Sequence, residues 1–305
     1  MKSLRLLIAT FIFVHAFTPA PAALRPTAGF FLPDSVTEMT IKYKTVRNLM
    51  ILPVTINDSV EVNLVLDTGC RNLILFGKRF KKTFTISPGK PVIFSGLGSG
   101  RSVSGELSIG NKVSIDEVLG EQIPVVIVPH NNMFEKYHNV DGIIGYDVFV
   151  KFEIEINPAY KTITFRPALK SSAPYGYTQI PLRIIDARPI LESEVYLDKK
   201  TSRRLNLMID TGSSLALLLK TTSIEDFDHH RNSTVLGFGL NGPVSGYEMI
   251  SQHLKLRGLE MRNVATGIVA SSWHNNASIG MEILKDYVLI LNYCKAYACF
   301  KRLDS

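Results

Sequence analysis

Two short segments carry the residues best suited to chemistry, Asp67-Thr68-Gly69 and Asp210-Thr211-Gly212. Each follows an apolar run, Val62-Asn63-Leu64-Val65-Leu66 in one case and Leu205-Asn206-Leu207-Met208-Ile209 in the other, and each is followed by a second apolar run. Two carboxylates brought face to face cannot both ionise, so they share a proton and become an acid and a base at one place. Such a pair can activate a water and protonate a leaving amine with no nucleophile, metal or cofactor. Asp67 and Asp210 are therefore the candidate catalytic residues, and no cofactor is expected.

The elements that must position them are themselves duplicated. A glycine-rich segment follows each D-T-G, Gly96-Leu97-Gly98-Ser99-Gly100 through Gly105 in the first half and Gly237-Phe238-Gly239-Leu240 through Gly246 in the second, both reading G-x-G-x-x-x-x-V-S-G. Each half then closes with an apolar-Gly element (Ile143-Ile144-Gly145, Ser278-Ile279-Gly280), a short helical stretch and a hairpin. Self-similarity on this scale is an architectural signal. Strand-like alternation dominates, as in Met39-Thr40-Ile41-Lys42-Tyr43 and Pro124-Val125-Val126-Ile127-Val128, and helices are expected to be short and few. A twofold axis relating the halves would set Asp67 against Asp210.

With these motifs in both halves, the chain resembles an aspartic peptidase of the group that includes the retroviral proteases and the pepsins. It is most similar to the single-chain, two-lobe retropepsin-like aspartyl proteases of bacteria. The resemblance implies an all-β fold of two similar β-barrel lobes about a pseudo-twofold axis, hydrolysis of peptide bonds, and an extended peptide or unfolded protein as substrate. It gives Thr68 and Thr211 the role of hydroxyls reaching across the axis, and lets Gly69 and Gly212 bring the two loops close. Gly96, Leu97, Gly98, Ser99 and Gly100, with Gly237, Phe238, Gly239 and Leu240, become substrate-binding flaps. The residue after the glycine, commonly Ser, Thr or Ala in this group, is Cys70 in one half and Ser213 in the other. A serine hydroxyl is the better donor, so Asp210 is expected to be the more readily ionised partner, with Asp67 holding the shared proton.

The remaining composition sets limits on other functions. The 305 residues are 46% apolar and 20% charged, ordinary for a globular protein. Residues 1–22 read as a secretory signal: basic Met1-Lys2-Ser3-Leu4-Arg5, an apolar run to Phe17, then Ala20-Pro21-Ala22. Export to a periplasm or medium is expected, without stable membrane insertion, leaving lobes at 23–168 and 169–305. Removing Lys2 and Arg5 takes the formal charge from +7 to +5, with no basic tract to suggest nucleic acid. His229, His230, His253 and His274 have no metal-binding spacing. A bridge between Cys294 and Cys299 is left open, and with both halves on one chain a monomer is expected. Two readings remain: an endopeptidase, and a non-catalytic or substrate-dedicated peptide-binding protein that keeps the cleft.

Overall fold

The computed structural model describes residues 28–94, 96–129, 134, 139–198, 201–222, 233–271 and 277–303. The expected signal, Ser95, His229, His230 and His274 lie outside them. The fold is nearly all β, with three short helices among the described residues, Lys78–Thr83, Tyr146–Phe149 and Met281–Leu284. A nine-stranded sheet builds the first lobe and an eight-stranded sheet the second. A six-stranded antiparallel sheet joins them.

The joining sheet makes the twofold relation visible. Its order is Thr178–Pro181, Tyr297–Arg302, Tyr287–Asn292, Phe152–Asn157, Thr162–Pro167, Met39–Lys42, so the two halves contribute matching strands in mirrored sequence. The central pair meets with Glu155 opposite Ile290, flanked by Ile154 opposite Leu291 and Ile156 opposite Leu289. The alternation in Met39–Lys42 thus places Ile41 against Ile163 in the core, while Thr40 meets Thr164 side chain to side chain at 2.8 Å. One continuous apolar core runs through both lobes and this sheet, with Phe149, Phe152, Phe165 and Phe300 fully buried. Burial of such rings is the largest single source of stability in a fold of this kind.

Each lobe folds its chain in the same order. A tight hairpin opens each: Val46 pairs with Leu49 around Arg47 and Asn48, and Ile185 pairs with Arg188 around Asp186 and Ala187, all four turn residues at positive φ. Two-residue loops of that backbone match the twist of the strands they join. The strand Val60–Leu66 or Ser202–Ile209 then runs into D-T-G. After it, Leu73–Phe76 or Leu217–Thr221 leads away, and a three-residue strand, Gly142–Ile144 or Ala277–Ile279, threads between the two. All three cysteines are free, Cys299 opposite Ile290 in the joining sheet and Cys294 exposed, its thiol donating to Val150 O at 3.2 Å.

Candidate active site

The threaded strands fix both D-T-G loops from behind. Asp67 N donates to Ile144 O and Asp210 N to Ile279 O, each at 2.9 Å. Gly145 and Gly280 leave room for this close approach: a Cβ on Gly145 would lie 2.1 Å from Cys70 O, and one on Gly280 2.4 Å from Leu215 O. Any side chain there would push the D-T-G loop out of place.

The threonines then lock the loops to each other. Thr68 N donates to Thr211 Oγ1 and Thr211 N to Thr68 Oγ1, both at 3.0 Å. Thr68 Oγ1 in turn donates to Ile209 O at 2.7 Å, and Thr211 Oγ1 to Leu66 O at 2.8 Å. Both side chains are fully buried, so every polar group is used and each lobe is tied to the other's strand end. Where the threonines cross, the glycines bring each loop against the partner's carboxylate. A Cβ on Gly212 would fall 2.2 Å from Asp67 Cγ, and one on Gly69 3.0 Å from Asp67 Oδ1 and 3.1 Å from Asp210 Oδ1.

The two aspartate carboxyls therefore lie side by side, and their acidity reflects it. Burial, and next the Asp210 charge, pushes Asp67 up to about 7 against the pull of the Gly69 amide, Arg188 and the Cys70 amide. The Gly69 N–H reaches Asp67 Oδ1 at 2.6 Å. Asp210 is also raised by burial, but Lys220, the Gly212 amide and Arg188 oppose the rise. A pair in which one carboxyl holds a proton near neutrality has the composition that general acid–base hydrolysis requires. Burial, with Asp67 behind it, also carries the Cys70 thiol and the Tyr293 phenol upward.

The residues after the glycines do not act as the sequence suggested. Cys70 Sγ donates to Asn72 O at 3.2 Å, and Ser213 Oγ accepts from Leu215 N at 3.3 Å. Among the described bonds neither side chain reaches an aspartate. Each bonds within its own loop instead.

Both glycine-rich segments form hairpins over the cleft, Val92–Phe94 with Val103–Ile115 and Thr234–Gly239 with Gly242–Leu256. Their tips meet. Asn241 Oδ1 accepts from Gly98 N at 2.7 Å, Asn241 Nδ2 donates to Gly98 O at 2.8 Å, and Gly100 N donates to Asn241 O at 2.7 Å. Ser99 N adds a bond to Pro243 O at 3.0 Å. Apolar anchors are exchanged as well. Leu97 packs on the second lobe's cluster of Leu218, Val244 and Val269, and Leu240 packs on the first lobe's cluster around Ile74, Phe76 and Val128. Phe238 is left largely exposed on the outer face.

Sequence reasoning missed three residues at this site. Asn241 lies inside the second glycine-rich segment and was not singled out, although Asn at a hairpin tip beside glycine is a signal. Lys220 and Arg188 lacked any motif. Arg188 Nε donates to Gly69 O across the lobe boundary at 3.0 Å. His253 is held by Glu260 at 2.7 Å, and among the described residues no group of three His, Cys, Asp or Glu side chains could hold a metal ion.

No curated protein matches this chain. Residues 52–148, which carry the first D-T-G, the first flap and the strand that threads behind them, match a family described as aspartyl protease, and this supports an aspartic peptidase family and a protease function.

Proposed function

We propose that this chain is an exported aspartic endopeptidase that hydrolyses peptide bonds in extended peptides or unfolded protein, using the Asp67 and Asp210 carboxylates and one water. The observation that carries the reading is the reciprocal threonine bonding, which holds two half-buried carboxylates at one point with the opposite glycine against each. In the reaction the ionised carboxyl takes a proton from water, the oxygen attacks the scissile carbonyl, and the protonated carboxyl donates to the carbonyl oxygen. Two flaps that meet over the cleft favour an extended main chain as the occupant. One chain supplies both halves, so a monomer suffices. Export rests on the basic, apolar and A-x-A pattern of residues 1–22, and the alternation of a retropepsin-like lobe in each half supports the bacterial, two-lobe type.

The test is cleavage of a mixed peptide library by the mature chain from pH 3 to 8, with and without pepstatin. Cleavage in the interior of peptides, blocked by pepstatin, is expected. Intact peptides at every pH, captured by the chain without turnover, would favour the non-catalytic or substrate-dedicated binding reading instead.

A further inference from the structure

The backbone bonds of the first D-T-G loop recur in the second, with one exception. Asp67 N and Asp210 N donate to the threaded strands at 2.9 Å, and Cys70 N and Ser213 N donate to Asp67 O and Asp210 O at 3.2 Å. Tyr146 N and Met281 N donate to Cys70 O and Ser213 O at 3.0 and 2.7 Å. The exception is the glycine carbonyl. Gly69 O accepts from Arg188 Nε of the second lobe at 3.0 Å, whereas among the described bonds Gly212 O accepts none.

The difference comes from one pair of equivalent residues. The opening hairpins pair Val46 with Leu49 and Ile185 with Arg188, so Arg188 stands where the first lobe has Leu49. Leu49 is buried in an apolar cluster with Ile74, Phe76 and Val128 and has no side-chain donor to offer. The tip of the first hairpin also crosses the lobe boundary, but its Asn48 Nδ2 donates to Glu282 Oε2 at 2.7 Å, on the helix that follows the second threaded strand. The second hairpin grips the D-T-G loop itself. Arg188 Nη1 donates to Asp186 O at 3.4 Å, and Asp186 pairs with Arg71 at 3.2 Å. A planar guanidinium bonded on two sides has its orientation fixed.

Gly69 needs such a hold. A Cβ there would meet both carboxyls, at 3.0 and 3.1 Å, so the position is confined to glycine, whose backbone turns most freely. The Gly69 N–H is also the donor to Asp67 Oδ1 at 2.6 Å, so rotation of this residue disturbs the carboxyl. Building on the peptidase reading, we propose that Arg188 is a positioning residue that pins the Gly69 carbonyl from the opposite lobe and so keeps the Asp67 carboxyl in its working orientation.

The test is amide hydrogen exchange at Gly69 and Gly212, beside steady-state peptide cleavage, for the mature wild-type chain, Arg188→Leu, Arg188→Lys and Arg71→Gln. Leucine is the side chain the first lobe already buries at this place, and Arg188→Met replaces that variant if it does not fold. A bond from a charged donor is worth about tenfold in the population of the held arrangement. In Arg188→Leu, exchange at Gly69 should therefore quicken about tenfold with Gly212 little changed, and kcat should fall by a similar factor with KM nearly constant. Arg188→Lys keeps a charged donor and should recover most of both. Arg71→Gln leaves the bond to Gly69 intact and should resemble wild type. Unchanged exchange at Gly69 in a folded Arg188→Leu protein overturns the inference, as does a tenfold rise in KM at constant kcat, which would make Arg188 a substrate-binding group. An Arg71→Gln loss equal to that of Arg188→Leu also overturns it, by assigning the effect to the hairpin tip. Faster exchange at Gly69 in Arg188→Leu, when the wild-type chain cleaves nothing, supports the pin and sinks the peptidase reading.

Discussion

The two lobes keep the same backbone and diverge in the side chains that face the cleft. Hairpin, D-T-G loop, threaded strand and flap recur, and the threonine bonds are equal in length from both sides. Yet the first lobe backs its flap with Leu49, Ile74, Phe76, Val126 and Val128, whereas the second has Arg188, Leu218, Lys220, Gly267 and Val269 in the same places. Geometry at the axis has to be symmetric, because each loop is the other's scaffold. Charge need not be, since a side chain two residues along a strand can change without moving the loop. A duplicated fold can in this way present one floor with unequal acids.

The largest expected effect tests how equal the axis is. Gly212→Ala places a methyl 2.2 Å from Asp67 Cγ, where nothing can yield without moving the carboxyl, whereas Gly69→Ala places one at 3.0 Å from an oxygen. Displacement of a reacting group by about 1 Å costs on the order of 100-fold, so Gly212→Ala should lose at least that in kcat/KM and Gly69→Ala less. Steady-state cleavage of one peptide by both variants decides it. Equal losses would mean that the loops relax alike and the asymmetry is confined to charge.

A second contrast uses stability. Asp67 is raised to about 7 in the fold, so the folded state holds its proton more tightly than the unfolded chain. Its contribution is therefore most favourable below about pH 4 and is lost as the pH rises toward 7. Asp67→Asn removes that loss and should stabilise the protein at pH 7 relative to pH 4 by about 2 kcal/mol, a figure reduced for the solvent the cleft still admits. Asp210→Asn should gain less, because burial raises Asp210 too but the Lys220 charge opposes that rise. Denaturant unfolding at both pH values measures the difference, and a greater gain for Asp210→Asn would contradict this ordering.

Much of this was legible in the residues, and the reason for what was not is physical. D-T-G, the glycine-rich segments and the apolar-Gly elements are local patterns with their own backbone demands, so they survive in sequence. The alternation of Met39-Thr40-Ile41-Lys42-Tyr43 pointed to a strand, and Met39–Lys42 is one, at an edge of the joining sheet. The Lys220 relation was hidden by one extra residue between Ser213 and Leu217. Counting from the aspartates sets Lys220 against Gly77, and only the pairing of Lys220 with Val269 and Phe76 with Val128 corrects the register. The sequence argument from Ser213 and Cys70 for which aspartate ionises is not supported by the structure, since those side chains bond to their own loops. The one-residue insertion is what misled the count.

The smallest effect lies at the flap tips, where only the second lobe offers a side-chain amide, that of Asn241. Asn241→Ala removes the acceptor of the Gly98 amide but leaves the backbone bond from Gly100 to residue 241. Loss of a partly exposed bond of this type is worth about 1 kcal/mol. Amide hydrogen exchange at Gly98 should speed up about fivefold, with Gly100 much less affected. Unchanged exchange at Gly98 would show that Leu97 and Leu240, not Asn241, hold the flaps together.

The central claim is that one carboxyl from each half makes a single site. Peptide cleavage by Asp67→Asn and by Asp210→Asn, each as a folded protein on the best library substrate, tests it most directly. Either substitution alone should lower kcat by about 1000-fold or more, because neither half can serve as both acid and base. Full or half activity in either variant would show that the halves act separately or that the chemistry lies elsewhere.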